Sequence, residues 1–173
     1  MLGFTLGISQ GCQPIFSYNY GARQYSRVRE AYRKAIVAAS VICCIAFVCF
    51  QLFPRPIVAL FDPSGSEEYF QFAERYFRIY MFMTLANAFQ PITANFFTSI
   101  GKAKRGALIA LTRQVIFLIP LILIFPLFLG IDGVMYAGPI ADSAAVVVAL
   151  ALVTREMKRM PHVDEPVAAD TLV

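Results

Sequence analysis

The chain is 173 residues long, 58% hydrophobic and only 15% charged, with a mean hydropathy of +0.64; soluble domains are nearer 45–50% apolar and about a quarter charged. Residues 35–54, 79–101 and 114–131 carry no Asp, Glu, Lys or Arg, which excludes an ordinary soluble domain, and they lack the polar–apolar alternation of a membrane barrel. The net charge is +4, but the basic residues flank the apolar runs instead of forming one patch, so they read as topology signals and no nucleic-acid partner is expected.

A hydrocarbon layer of about 30 Å is crossed by roughly 20 helical residues. On that scale the sequence predicts an all-α, polytopic membrane helix bundle with helices at about 1–20, 35–53, 76–100, 106–128 and 133–153. Residues 1–155 form one unit, and 156–173 form a tail expected to be cytoplasmic and disordered.

The first helix has no Lys or Arg before its apolar stretch and no cleavage site after it, so it reads as a retained helix and not a signal peptide. Gly3, Gly7 and Gly11 recur every four residues along it, a spacing that suits close helix packing. In the following segment Tyr25, Val28, Tyr32 and Ile36 share one helical face, while Arg23, Arg27, Glu30, Arg33 and Lys34 share the other. That amphipathic stretch is expected in the headgroup layer.

After the second helix, Asp62-Pro63 and then Ser64 with Glu67 suggest a capped helix start outside the membrane, leading obliquely into the third helix. The connection after that helix holds Lys102, Lys104 and Arg105. The next holds only Asp132, and Arg155, Lys158 and Arg159 follow the last helix. Basic and non-basic connections therefore alternate, which places the basic ones and the C-terminus in the cytoplasm and the N-terminus outside.

Three helices that run inward share a short pattern: Gln13-Pro14-Ile15, Gln90-Pro91-Ile92 and Gly138-Pro139-Ile140. Proline inside a helix removes one N–H and crowds the carbonyl four residues back, so Pro14, Pro91 and Pro139 are candidate bends. Counting 1.5 Å per residue, Gln90 and Asp142 lie about 16 Å from the cytoplasmic ends and Gln13 about 13 Å. With Gln10, Asn87 and Asn95 they form a polar band near the bilayer midplane, where polar groups must pair or meet water.

Asp142 and Arg113 are the two ionisable groups within spans. A carboxylate at that depth needs a proton or a cation to offset its charge. Arg113 either snorkels to the near surface or reaches Asp142, and the pair serves either structure or ion coupling. Cys12, Cys43, Cys44 and Cys49 fall in apolar runs with no metal spacing, and the single histidine, His162, is remote. No nucleophile–base arrangement exists in the sequence, so neither an enzyme nor a metal or organic cofactor is expected.

Residues 7–22 (GISQGCQPIFSYNYGA) with the basic stretch after them, 99–104 (SIGKAK), 113–120 (RQVIFLIP), 130–134 (GIDGV) and 139–142 (PIAD) occur in an order that resembles bacterial multidrug and toxic compound extrusion (MATE) transporters over about residues 3–153. The resemblance implies twelve helices in two six-helix lobes in the bacterial inner membrane. It also implies export of organic, chiefly cationic, compounds by alternating access in exchange for protons or sodium ions. It would make the five helices the eighth to twelfth, a partial C-lobe. Its partners would be the lipid bilayer, small organic substrates and an N-terminal lobe carried by the same or another chain. Gln13, Asn19, Gln90, Arg113 and Asp142 match the family pattern and, with Asn87, are the transport and cavity candidates. A flippase for lipid-linked sugars or polysaccharides of related architecture is the first alternative. An inactive or subunit-pairing membrane fragment is the second.

Overall fold

The computed structural model describes residues 2–61, 67–81, 84–161 and 164. Eight α-helices and one π-helical segment make up that part of the chain: α1 Leu2–Gly21, α2 Tyr25–Leu52, α3 Pro54–Phe61, α4 Glu67–Met81, α5 Thr84–Ser99, α6 Ala103–Leu111, the π segment Thr112–Leu118, α7 Ile119–Leu129 and α8 Ile131–Arg159. The all-helical membrane bundle expected from composition is the architecture found. Among the described residues, three stretches, Tyr25–Leu52, Ala103–Phe128 and Tyr136–Arg159, are long and apolar enough to cross a membrane by themselves. α1 does not reach that standard because glycines and amides dilute its apolar content, and α5 has only 16 residues.

α5 sits at the centre, packed against α1, α2, α6 and α8. Its Ile92, Phe96 and Phe97 are fully buried, and Phe96 stacks edge-on with Phe16 of α1 at 5.4 Å and meets Tyr32 of α2 at 4.9 Å between ring centroids. α2 contributes Val28, Tyr32, Ala35, Ala39 and Cys43, spaced by threes and fours down one face. α8 contributes a stripe of small side chains, Ala137, Ala141, Ala145, Ala149 and Val153, every fourth residue. Such a stripe lets a neighbouring backbone come close.

The turns follow from their residues. α5 ends in a two-bond C-cap: Gly101 N donates to Thr98 O at 3.1 Å and Lys102 N to Phe97 O at 2.9 Å. Gly101 takes φ +78°, a conformation that favours glycine. α1 ends the same way around Arg23 (φ 56°), which closes the turn into α2. Proline opens α3 at the first helical position, where its missing N–H costs nothing.

Several expected boundaries move. The amphipathic 25–34 stretch is not a separate surface segment, because it forms the first turns of α2. Its apolar face meets protein instead of lipid: Val28 and Tyr32 are buried, and the Tyr32 hydroxyl lies 2.8 Å from Thr93 Oγ1. The last helix begins at Ile131 and runs to Arg159, six residues past its expected end, because Val153, Glu156 and Met160 are buried against the other helices. The third expected helix is represented by α4 and α5. Its proposed start at 62–66 lies outside the described residues.

Candidate ion and substrate site

The helical stretch from Ala103 to Leu129 changes pitch at residues 112–118, where seven residues are π-helical. Pro120 follows after one intervening residue. Its ring crowds the carbonyl of Ile116 and it offers no N–H, so the turn before it widens. Arg113 lies at the start of this wider turn, and its guanidinium reaches across to α8. Nε donates to Asp142 Oδ1, and an Nη2 donates to Oδ2 at 3.4 Å. The Asp142 side chain is 8% exposed and that of Arg113 27%. Of the two alternatives left open for Arg113, the ion pair is the one found.

Gln90, 7% exposed, donates from Nε2 to the Ile109 carbonyl at 3.0 Å, four residues before Arg113. A helix entering a pitch change has carbonyls with imperfect partners, and an amide donor satisfies one. Gln90, Pro91, Ala94, Ala110, Arg113 and Gln114 line a cleft of about 190 Å³ between α5 and the 103–129 stretch. The cleft thus has apolar walls, two amides and the edge of an ion pair. Gln114 is not among the sequence candidates; its adjacency to Arg113 is the available signal.

The remaining candidates separate from this cluster. Asn95 donates to Ser9 Oγ at 2.6 Å, so it joins α5 to α1. Asn19 turns back on its own helix, donating to Ile15 O at 2.8 Å. It lines a different groove, about 550 Å³, between α1 and α2 with Cys12, Ile15, Arg27, Glu30, Ala31, Lys34 and Ala35. Gln13 is half-buried on α1 and Gln10 is exposed. The Asn87 side chain lies outside the described residues. The expected polar band is therefore two clusters that share α5, not one layer.

Pro14, Pro91 and Pro139 lie within α1, α5 and α8, which stay helical on both sides of each. Each proline carbonyl accepts a serine hydroxyl: Ser17 at 3.2 Å, Ser9 at 3.1 Å and Ser143 at 2.8 Å respectively.

At the other end of α8, Glu156 is buried with its side chain 2% exposed. Its Oε1 accepts from Lys102 and its Oε2 from Arg105. Just beyond, both terminal nitrogens of Arg29 donate to Pro161 O at 3.2 Å. The three basic segments expected on one side of the membrane therefore meet at one end of the bundle. Reading these charges only as topology signals misses the Glu156 cluster. Fourteen residues separate Glu156 from Asp142, a near-integral number of turns, and that spacing is the usable clue.

The MatE family model matches residues 1–124. Multidrug export protein MepA of Staphylococcus aureus is 23% identical over 148 residues, which are 86% of this chain and 32% of the relative. The solved MATE multidrug transporter DinF-BH superposes with a TM-score of 0.82 at 36% identity, over 88% of this chain and 34% of its own. Outward-facing and inward-facing structures of multidrug resistance MATE family transporters each superpose at 0.82, with 21% and 19% identity, over 90% of this chain and 35% and 36% of theirs; at that identity they speak to fold alone. The chain spans about a third of the length of the curated relatives it matches. Apolar membrane-length helices, the matching family model and the shared fold make this multi-pass membrane chain a member of the MatE transporter family.

Proposed function

We propose that this chain forms part of the C-terminal lobe of a cation-coupled multidrug antiporter, not an enzyme, with Asp142 as the carboxylate through which a proton or sodium ion is exchanged. The observation that carries the reading is the Arg113–Asp142 pair, its carboxylate buried, beside the cleft lined by Gln90 and Gln114. Arginine and aspartate together are neutral, which makes the pair tolerable between membrane helices. A proton or cation arriving at Asp142 competes with Arg113 for the same oxygens, so occupancy of the carboxylate changes the charge presented to the cleft. That linkage is what exchange of an organic cation for a coupling ion requires.

The similarity of one fold to both outward- and inward-facing structures supports a lobe that moves largely as a body, with access alternating by motion against the other lobe. Positive-inside bias supports placing the basic end, including the α8 terminus, in the cytoplasm of a bacterial inner membrane. A flippase for anionic lipid-linked sugars is less well supported, because the Arg113 guanidinium that would receive such a headgroup is held by Asp142.

The test is efflux into vesicles holding this chain together with the N-terminal lobe. Asp142→Asn is expected to insert at normal abundance and to lose proton- or sodium-driven efflux at least tenfold. Efflux equal to that of the parent would remove Asp142 from coupling.

A further inference from the structure

α8 is tied to the 103–129 stretch at two places, the Arg113–Asp142 pair and the Glu156 cluster. Fourteen residues along α8 correspond to about 21 Å and roughly 40° of rotation, so the two carboxylates project from one face. On the facing helix, Lys102 immediately precedes α6, Arg105 lies in its first turn and Arg113 follows eight residues later. From Arg105 the chain is regular α-helix to Leu111, a short rod that carries the position of Arg105 on to Arg113.

One end of this helix pair is fixed by the single-residue turn at Gly130 and by the close approach of Gly133 to the Phe125 carbonyl, but at the other end α6 barely touches α8. Between Asp142 and Glu156 the buried apolar side chains of α8 are the small ones of Ala145, Ala149 and Val153, which tolerate a small rotation or slide of the facing helix. A buried carboxylate with one cation on each oxygen does not, since displacement in either direction strands a charge.

We propose that Glu156 is a positioning residue. By gripping Lys102 and Arg105 it sets the rotation and register of the 103–129 stretch on α8, and so places Arg113 on Asp142. Its importance for transport rests on the coupling role proposed above for Asp142, whereas its effect on register does not.

The test separates the two. With Cys12, Cys43, Cys44 and Cys49 replaced by alanine, spin labels attached at Ala110→Cys and Val147→Cys, both exposed sites, report the spacing of the two helices in lipid bilayers. The parent should give one narrow distance distribution. Glu156→Gln should broaden or displace it by several ångströms, and Glu156→Asp should restore part of the narrow component. An unchanged distribution in Glu156→Gln overturns the proposal whatever happens to efflux. Should Glu156→Gln fail to insert, Lys102→Gln and Arg105→Gln, made singly, carry the same expectation and the same refutation. In the protein with both lobes, Glu156→Gln should lower efflux at least tenfold at equal abundance, and adding Asp142→Asn should lower it little further; fully multiplying losses would count against a shared path. If Asp142→Asn alone leaves efflux intact, the coupling reading fails while the spin-label result still decides the role of Glu156.

Discussion

Asp142 and Glu156 share a helix, a face and a neighbour, and both are buried, yet their surroundings differ in charge. Asp142 has one cation, comes from a stretch rich in alanine and stands beside an open cleft. Glu156 has two cations, one on each oxygen, at the end of the bundle where three basic segments converge. A carboxylate outnumbered by fixed cations has little reason to take up another. One balanced by a single arginine at a change of helical pitch is the one proposed above to trade that partner for an incoming ion. Burial alone does not mark a coupling residue. The number of fixed partners and the presence of space beside it separate exchange from attachment.

The largest effect should come from unbalancing the Arg113–Asp142 pair. Arg113→Ala leaves a carboxylate buried without a partner, a change that costs about 3–5 kcal/mol. Replacing both residues with leucine should recover most of that stability while leaving transport absent. Thermal unfolding in detergent, read beside vesicle efflux, checks both halves. A double variant as active as the parent would end the contrast drawn between the two carboxylates. Glu156→Gln should cost less, about 1–3 kcal/mol, since its cations are 35% and 37% exposed and water can take them up.

A similar comparison applies to packing. A methyl group added at Gly106 would come within 2.7 Å of Ala94 O and Thr98 Oγ1, where α6 meets α5 directly after Arg105. Gly106→Ala should therefore cost about 1–3 kcal/mol and loosen the Glu156 attachment with it. The same change at Gly3, Gly7 or Gly11 meets nothing within 4 Å. In this chain it should be neutral or stabilise by up to about 1 kcal/mol through helix propensity. The Gly3–Gly7–Gly11 spacing expected to pack closely has no neighbour among the described residues, while the alanine stripe of α8 is fully packed.

The charge-free runs make the fold class legible, because a hydrocarbon-length segment without charge has few other uses. Asp142 and Arg113 are legible as individual residues for the same reason. Their pairing is not, since depth counted along separate helices gives no rotation about them, and the π-helical turn before Pro120 alters that rotation locally. The 25–34 stretch misleads because periodicity identifies an apolar face without saying what covers it; Tyr32 suits a headgroup layer as well as a core. Glu156 is invisible to hydropathy, which falls at Arg155 and suggests a helix leaving the membrane. Only the convergence of Lys102 and Arg105 from a distant turn makes a buried carboxylate tolerable there.

The smallest predicted effect lies at the edge of the same attachment. Asp164 accepts from Ser26 at both oxygens, with the backbone bond at 2.9 Å, near the first turn of α2. The hydroxyl and amide of Ser26 hold its carboxyl below the ordinary carboxylate range, with Arg29 adding a weaker attraction. A carboxylate depressed in the folded state adds stability that is fully present above its unfolded pKa and is lost as pH falls through the folded value. Acidification below the ordinary carboxylate range should thus release residue 164 from α2, while Asp164→Asn should be released already at neutral pH. Because the carboxyl lies at the surface, global unfolding should hardly change, and the informative measurement is local: the amide resonance of Ser26 followed through an acid titration. A Ser26 resonance that ignores the titration, or that is the same in Asp164→Asn as in the parent, would confine the attachments at this end of the bundle to Glu156 and the Arg29–Pro161 contact and leave Asp164 outside them.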